Sequence, residues 1–205
     1  MKYNKRHERK IAMPLIVDKE HVRSEILDAL QQCLEEKPLA KVSMRDIASR
    51  AKIAHSKINY YFDSKNQLLI AYIDFFAKHY KTEIKQWYIT YKQNDSDMTE
   101  APEKIIKHFI KAMVFANHKN QSWSFTQIST IVQYDSEMKT AIQNAYNSWK
   151  NAIKSILEEI YNDNGDHLLY KAEVILLIVD GMIVSSLCEQ LDESKIDSIL
   201  QNITL

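Results

Sequence analysis

Residues 54–61 bring together polar side chains that suit contact with a nucleic acid. If Ile58 is buried, a short helix here turns its polar residues outward. The outward set is His55, Ser56, Lys57, Asn59 and Tyr61. Lysine can donate to guanine acceptors and asparagine can pair with adenine or with a phosphate, which are contacts made in the DNA major groove. Such a set of side chains is unusual for a face that only contacts water. The alternative is that these residues belong to an ordinary helical bundle without a role in DNA binding.

The flanking residues predict the elements that would hold this helix. Ser43 opens an earlier short helix, and Asp46, three residues on, is placed to cap back. Lys52 then makes a tight turn with the residue that follows it. Ser64 with Gln67 forms a second capping pattern, which begins a third helix. The predicted arrangement is a helix-turn-helix.

At these residues the sequence resembles the DNA-binding domain of TetR-type bacterial transcriptional regulators. The matching positions are Ser43, Met44, Arg45, Asp46, Ile47, Ala48, Ala51, Ile53, Ile58, Asn59, Tyr60, Tyr61, Phe62, Ser64, Lys65, Leu68 and Leu69. Upstream, a second set is similar to the start of a subset that includes regulators of choline and betaine metabolism: Pro14, Ile16, Val17, Asp18, Arg23, Glu25 and Ile26. The close resemblance covers residues 13–75, and the remainder is similar only in helical layout.

The resemblance implies which side chains meet DNA. Base edges would be read by His55, Ser56, Lys57 and Asn59, and the backbone would be held by Ser43, Arg45, Tyr60, Tyr61 and Lys65. The sequence departs from the family pattern at two positions. Lys52 replaces the usual turn glycine, and Ala54 replaces the usual capping serine. Each departure is expected to cost about 1 kcal/mol and to loosen the recognition helix.

Composition and charge fit an all-helical protein with one basic part. Two glycines and three prolines in 205 residues are too few turn residues for an all-β or doubly wound fold. Residues 1–65 hold 14 Lys and Arg against 9 Asp and Glu, a balance of +5, and the rest holds 13 against 18, or −5. The basic half contains the helix-turn-helix, as phosphate binding requires.

The chain divides into three predicted parts. Residues 1–17 form a basic amino-terminal arm, for which a minor-groove contact and a solvated tail are both open. Residues 18–69 form the helix-turn-helix domain, beginning with a helix over 18–36 that Asp18 caps. Residues 70–205 form a helical ligand-binding and dimerisation domain, entered through one helix from Ser64 to about Lys92. About nine helices are expected in all.

The second domain is rich in aromatic residues, which are core residues by default. The resemblance nonetheless places an effector pocket among these helices. Its candidate residues are Trp87, Tyr91, Phe109, Met113, Trp123, Phe125, Tyr134, Met138 and Trp149. Aromatic faces with a carboxylate nearby suit a cation, and an apolar ligand fits equally well.

The last two predicted helices carry apolar stripes with small residues beside them. In the TetR-like family, such helices pair with their mates in a second subunit, so the resemblance implies a homodimer. The interface candidates are Ala172, Ile175, Val179, Gly181, Ile183, Ser186, Leu187, Ile196, Ile199 and Leu200. Periodicity alone also allows these stripes to be buried within one chain.

No pattern supports catalysis, a cofactor or a metal. Phosphate-binding loops need closely placed glycines, and the seven histidines show no metal-ligand spacing. The longest apolar run, 174–179, is too short for a membrane span, and a cytoplasmic protein is expected. The resemblance implies a ligand-responsive transcriptional regulator, a repressor, that binds a palindromic DNA operator as a homodimer and is released by a small molecule. The alternatives are a helical DNA-binding adaptor without ligand control and a ligand-binding protein that has lost DNA binding.

Overall fold

The computed structural model describes residues 19–94, 100–120 and 122–203, and almost all of them are helical. Nine α-helices are seen in these ranges, without a strand: α1 Lys19–Glu36, α2 Met44–Arg50, α3 His55–Tyr61, α4 Lys65–Asn94, α5 Pro102–Asn120, α6 Ser122–Ser129, α7 Ser136–Tyr161, α8 His167–Ser186 and α9 Glu193–Gln201. Short 3-10 turns lie at Leu39–Lys41 and Val132–Tyr134. The all-α prediction is confirmed. The predicted arm at 1–17 and the Asp18 cap lie outside the described residues.

Helices α1, α2 and α3 pack on the start of α4 to form the part called the head below. Four of its side chains, Ile26, Leu30, Ile47 and Ile58, have no exposed surface. Burying an isoleucine or leucine side chain fully contributes about 1.5–3 kcal/mol, so these contacts dominate the local stability. The head is therefore a small three-helix unit whose buried residues continue into the core of the rest of the chain.

Helix α4 leaves the head and becomes the central helix of the rest of the chain, called the body below. Its 30 residues correspond to a length of about 45 Å. Ser64 caps its first turn by accepting from the Gln67 amide at 3.1 Å, while the Gln67 side chain turns to Glu137 instead of capping back. Deeper in the body, the Trp149 indole on α7 donates to the Ala77 carbonyl at 3.0 Å. The long helix expected from Ser64 to about Lys92 is confirmed.

The ends of the body helices follow the residues that signal them in the sequence. Asp135 accepts from the Met138 amide at 2.8 Å and caps α7, and Asp192 accepts from the Lys195 amide at 2.9 Å and caps α9. Pro102 begins α5, where its missing N–H has no helical partner to lose. Within the described ranges, none of the helices combines the length and apolar character needed to cross a bilayer.

Gln127 on α6 joins the body to the head. Its side-chain oxygen accepts from the Leu39 amide and its side-chain nitrogen donates to the Leu34 carbonyl, both at 2.8 Å and both buried. Asn66 on α4 also donates to Asp135 at 2.7 Å, at the start of α7. The end of α1 is thus held by a side chain of the body, so the two parts cannot shift independently at this point.

Candidate nucleic-acid interface and ligand pocket

Helix α3 lies on the surface of the head with one apolar side turned inward. Ile58 is fully buried, whereas His55, Ser56, Lys57 and Asn59 are exposed as the sequence predicts. No hydrogen bond or ion pair with another described residue engages the side chain of Lys57 or Asn59. Tyr60 is 70% exposed, and the Lys19 amino group lies 5.3 Å from its ring centre. The exposed face of α3 therefore presents polar groups that are available to a ligand.

Arg23 on α1 fixes the end of α3. Its guanidinium donates to the Tyr61 carbonyl at 2.6 Å and lies 4.3 Å from the ring centre of Phe62. The Tyr61 ring is only 7% exposed and packs edge-on against Tyr60. Tyr61 was predicted to hold the DNA backbone, and this assignment is corrected: its ring belongs to the core of the head.

The start of α2 forms the expected capping box. The Ser43 hydroxyl accepts from the Asp46 amide at 3.2 Å, while the Ser43 amide donates to the Asp46 carboxylate at 2.7 Å. Hydrogen bonds from Ser43, together with Lys37, hold the pKa of Asp46 well below its usual range. Arg45, in the first turn, is exposed and has no ion pair among the described residues. Of the two residues predicted here, Arg45 is thus the one with a side chain available for a phosphate.

Lys65 occupies a different place from the one predicted. Its half-buried amino group donates to the backbone carbonyls of Leu39 and Val42, at 3.0 and 2.6 Å. Burial lowers the pKa of this lysine. The amino group secures the segment between α1 and α2 to α4, so the predicted phosphate contact by Lys65 is corrected to a structural role within the head.

The turn between α2 and α3 shows both departures from the family pattern. Lys52 has a φ of 55°, in the left-handed region that favours glycine, and the Ile53 amide bonds the Ala48 carbonyl at 3.0 Å across it. Ala54 precedes α3 and gives it no side-chain cap. The strained turn and the missing cap expected from the sequence are therefore confirmed.

Restoring the usual residues at this turn should stabilise the head. Lys52→Gly and Ala54→Ser are each expected to raise the free energy of unfolding by about 1 kcal/mol, because the first relieves a left-handed lysine and the second caps α3. Urea denaturation without DNA measures both. Asn162→Gly is the control, since Asn162 also has a positive φ, of 49°, but asparagine tolerates it better. A loss of stability in Lys52→Gly would contradict the account of the turn.

The nine residues predicted for one ligand pocket do not converge. Trp123 and Met138 line a cavity of about 600 Å³ between head and body, and Trp87 and Tyr91 line another of about 360 Å³ near Glu100. Phe109 packs on Trp87, Met113 is buried in the core, and Tyr134 is 84% exposed. Only Phe125 and Trp149 share a third cavity. The predicted single pocket is corrected to separate cavities, because residue type alone does not determine which rings meet.

The third cavity, called the aromatic cavity below, has a volume of about 170 Å³ and lies between α4, α6, α7 and α8. Its lining residues are Phe76, Tyr80, Phe125, Thr126, Ser129, Tyr146, Trp149, Asp180, Ile183 and Val184. The sequence reasoning missed Phe76, Tyr80, Tyr146 and Asp180. The available signal was Asp180, the one carboxylate that interrupts the apolar stretch 174–184 of α8.

The head of this chain matches a known protein family by sequence. The sequence profile of bacterial regulatory proteins of the tetR family matches residues 26–72, the segment that contains α2, α3 and the start of α4. This segment of the chain is thus similar to bacterial regulatory proteins of the tetR family. No protein of curated function matches it by sequence similarity. The matching family model and the similar solved structures are of transcriptional regulators, and the expectation that the chain is not an enzyme agrees with them.

Solved structures of transcriptional regulators share the fold of most of this chain. A tetR-family regulator from Mesorhizobium loti has a TM-score of 0.71 at 12% identity, covering 90% of this chain and 96% of its own. NemR from Escherichia coli, in its reduced form, has a TM-score of 0.70 at 12% identity, covering 88% and 94%. FadR from Bacillus subtilis, solved in complex with stearoyl-CoA, has a TM-score of 0.59 at 16% identity, covering 87% and 95%. At such identities the likeness shows the fold alone.

Helix α8 has two apolar sides, and the predicted interface includes residues from both. Ala172, Ile175 and Val179 on α8 are almost fully buried against the chain's own helices, as are Ile196 and Leu200 on α9. These five are removed from the interface, because no partner can reach them. The large apolar residues exposed on α8 include Tyr170, Val174, Leu177 and Val184. Together with exposed Gly181 they follow a spacing of four, three, four and three, and they are called the α8 stripe below.

Proposed function

We propose that this chain is a ligand-responsive repressor that binds a palindromic DNA operator as a homodimer and is released by a small molecule in the cytoplasm. The observation that carries the proposal is the exposed face of α3, where Lys57 and Asn59 have no described partner while Arg23 holds the end of the helix from behind. A fixed helix with unengaged polar side chains is what groove reading requires.

The roles of the side chains follow from where they lie. Lys57 and Asn59 enter the major groove with His55 and Ser56, and Lys57 donates to guanine acceptors. Arg45 on α2 and Tyr60 on α3 are both exposed, and they bind phosphates and set the register on the duplex. Ser43 supports this contact indirectly, since its hydroxyl and amide are engaged with Asp46.

The α8 stripe supports the homodimer. Apolar residues at alternating spacings of four and three form the seam of a helix pair, and on this chain the seam is uncovered. Gly181 lies within it, and a Cβ at that position would have no described heavy atom within 4 Å apart from its own stretch of helix. A second copy related by two-fold symmetry would bury both stripes and set two α3 helices for successive major grooves.

Two helices link the aromatic cavity to the head. Phe125, Thr126 and Ser129 in the cavity wall lie on α6, which also carries Gln127 to the end of α1. Phe76 and Tyr80 in the wall lie on α4, which continues back into the head. A ligand in this cavity therefore contacts both helices that join the body to the head, and a shift of either would change the spacing of the two α3 helices in the dimer.

Removing the two base-reading side chains tests the proposal. Lys57→Ala with Asn59→Ala should lower operator affinity by about 100-fold or more, because each good base contact is worth about 1–3 kcal/mol and the dimer presents each twice. The operator is first selected from a random duplex pool with the original protein, and affinities are then measured by mobility shift. The thermal midpoint should not change, since both side chains are exposed.

The matched control is Lys139→Ala with Asn151→Ala, which removes an exposed pair of the same types from α7. This variant should bind the operator like the original protein. Equal affinity of the α3 variant and the control would refute the assignment. If the original protein selected no duplex, a ligand-binding protein that has lost DNA binding would be favoured. If it does select a duplex and its affinity for that duplex falls steeply with salt, phosphate contacts are present and that alternative is excluded.

A further inference from the structure

The aromatic cavity contains one carboxylate, that of Asp180, among rings. From this pairing we propose that the effector is a small organic cation, an amine or quaternary ammonium ion, held between the Asp180 carboxylate and the surrounding aromatic faces. The inference rests on the proposed function and names the chemical class of its ligand.

The rings form a continuous wall. Trp149 is central, with its ring centre 5.0 Å from that of Tyr80, 5.2 Å from Phe125 and 5.1 Å from Tyr146. Phe76 closes the wall, 4.8 Å from Phe125. A cation over the face of a tryptophan or tyrosine is attracted by the negative face of the ring, most strongly where water is excluded. Walls of this composition therefore favour positive charge as well as apolar bulk.

The charges around Asp180 make positive charge the better match. The other titratable groups on the cavity wall are phenols, Tyr80 on α4 and Tyr146 on α7, and α6 contributes Thr126 and Ser129. The Tyr146 hydroxyl hydrogen-bonds to Asp180, but no lysine, arginine or histidine is among the described lining residues. Burial raises the pKa of Asp180 to about 6. A partly buried carboxylate without a counter-charge is costly, and a bound cation would supply the missing partner.

The size and charge of the cavity exclude large ligands and disfavour anions. A volume of about 170 Å³ holds roughly six water molecules, so the ligand is small. A fatty acid or another anion would place like charge beside Asp180, which is unfavourable in a site of low polarity. The larger cavity between head and body has no carboxylate among its described lining residues, and its one cation, Lys65, donates to backbone carbonyls.

Three probes of one shape and different charge test the inference: tetramethylammonium, the neutral tert-butanol and the anionic pivalate. Binding to the full chain at pH 8 is measured by calorimetry. Tetramethylammonium should bind at least about tenfold more tightly than tert-butanol, and pivalate should bind most weakly. Asp180→Asn should weaken tetramethylammonium at least about tenfold and leave tert-butanol unchanged, because the amide keeps the shape and removes the charge.

Asp74→Asn is the matched control, since this exposed carboxylate on α4 pairs with Lys78 at 2.7 Å, away from the cavity. It should bind all three probes like the original protein. Asp180→Asn is expected to fold, because it removes an uncompensated charge, and circular dichroism checks this. Lowering the pH from 8 to 5 should weaken tetramethylammonium, since protonation near pH 6 neutralises Asp180.

Equal affinity for the cation and the alcohol, or an unchanged affinity in Asp180→Asn, would overturn the inference. The proposed function stands or falls separately. If operator binding depends on Lys57 and Asn59 but tetramethylammonium does not bind, the chain is a regulator with another effector. If tetramethylammonium binds through Asp180 but no operator is selected, the cation site is supported and the regulator is not.

Discussion

Leu177→Glu should convert the proposed dimer into monomers and lower operator affinity by more than about 100-fold. Leu177 lies at the middle of the α8 stripe and is 63% exposed in one chain. Across a two-fold axis the substitution places two carboxylates in an apolar interface, where like charges and lost water each cost several kcal/mol. A monomer has one α3 helix and can bind only one half of the operator, so it lacks the gain in affinity that comes from binding both halves at once.

Sedimentation measures the oligomeric state of this variant, and a mobility shift measures its operator affinity. The helix content of Leu177→Glu should match that of the original chain, since the side chain supports no core of its own subunit. Ile89→Glu is the control, because Ile89 is also apolar and exposed, at 46%, but lies on α4. This variant should remain a dimer.

Gly181→Leu gives an independent test of the same interface. A Cβ at this position meets nothing within the chain, and leucine favours a helix more than glycine does. Within one subunit the substitution should therefore stabilise α8. Only a closely packed partner helix would clash with the new side chain. A dimer that persists unchanged in both Leu177→Glu and Gly181→Leu would place the interface elsewhere.

The sequence predicted the helices well because their ends are coded locally. Asp135 and Asp192 cap the helices that follow them, Pro102 begins another, and Ser43 with Asp46 forms the expected box. Each signal depends on residues within three positions of one another, so no tertiary information is needed. The exposed face of α3 was predictable for the same reason, since the burial of Ile58 determines which side faces outward.

Predictions that depend on distant contacts were less accurate. Lys65 has the charge of a phosphate ligand, but the carbonyls of Leu39 and Val42, more than twenty residues away, take up its amino group. Helix α8 is apolar on two sides, so periodicity could not tell which side packs on the chain's own helices. The aromatic cavity depends on which rings meet, and its rings come from three different helices, α4, α6 and α7. The likeness to choline and betaine regulators stays a prediction.

Gln127→Leu should destabilise the joint between head and body by about 2–4 kcal/mol. Leucine fills a similar volume but cannot bond the Leu39 amide or the Leu34 carbonyl, which both lie at 2.8 Å from the Gln127 side chain. Each buried group left without a partner costs about 1–3 kcal/mol, more than the net gain from one hydrogen bond. The Leu34 carbonyl belongs to the last turn of α1, so its loss of a partner also weakens the end of that helix.

Denaturation by urea measures the loss, and hydrogen exchange at the Leu39 amide locates it, since this amide should lose its protection. Gln127→Glu tests the two hydrogen bonds separately, because the carboxylate can still accept from the Leu39 amide but cannot donate to the Leu34 carbonyl. The loss of stability should lie between zero and that of Gln127→Leu, provided that the buried charge adds no further cost. Gln133→Leu is the control, because Gln133 is exposed on the turn that follows α6. Its stability should stay within about 0.5 kcal/mol of the original.

The same variant separates stability from signalling. If α6 carries a shift of the aromatic cavity to α1 through Gln127, then Gln127→Leu should bind an effector with the original affinity but respond to it less, as a smaller change in operator affinity. If the effector changed the operator affinity of Gln127→Leu by the full amount although the variant is destabilised, the signal would pass from the cavity to the head through α4 alone. Phe76 and Tyr80 of the cavity wall lie on that helix. If Gln127→Leu had unchanged stability and a protected Leu39 amide, Gln127 would not be the joint between head and body. The reason is that the Leu39 amide and the Leu34 carbonyl have no described partner other than the Gln127 side chain, at 2.8 Å from each.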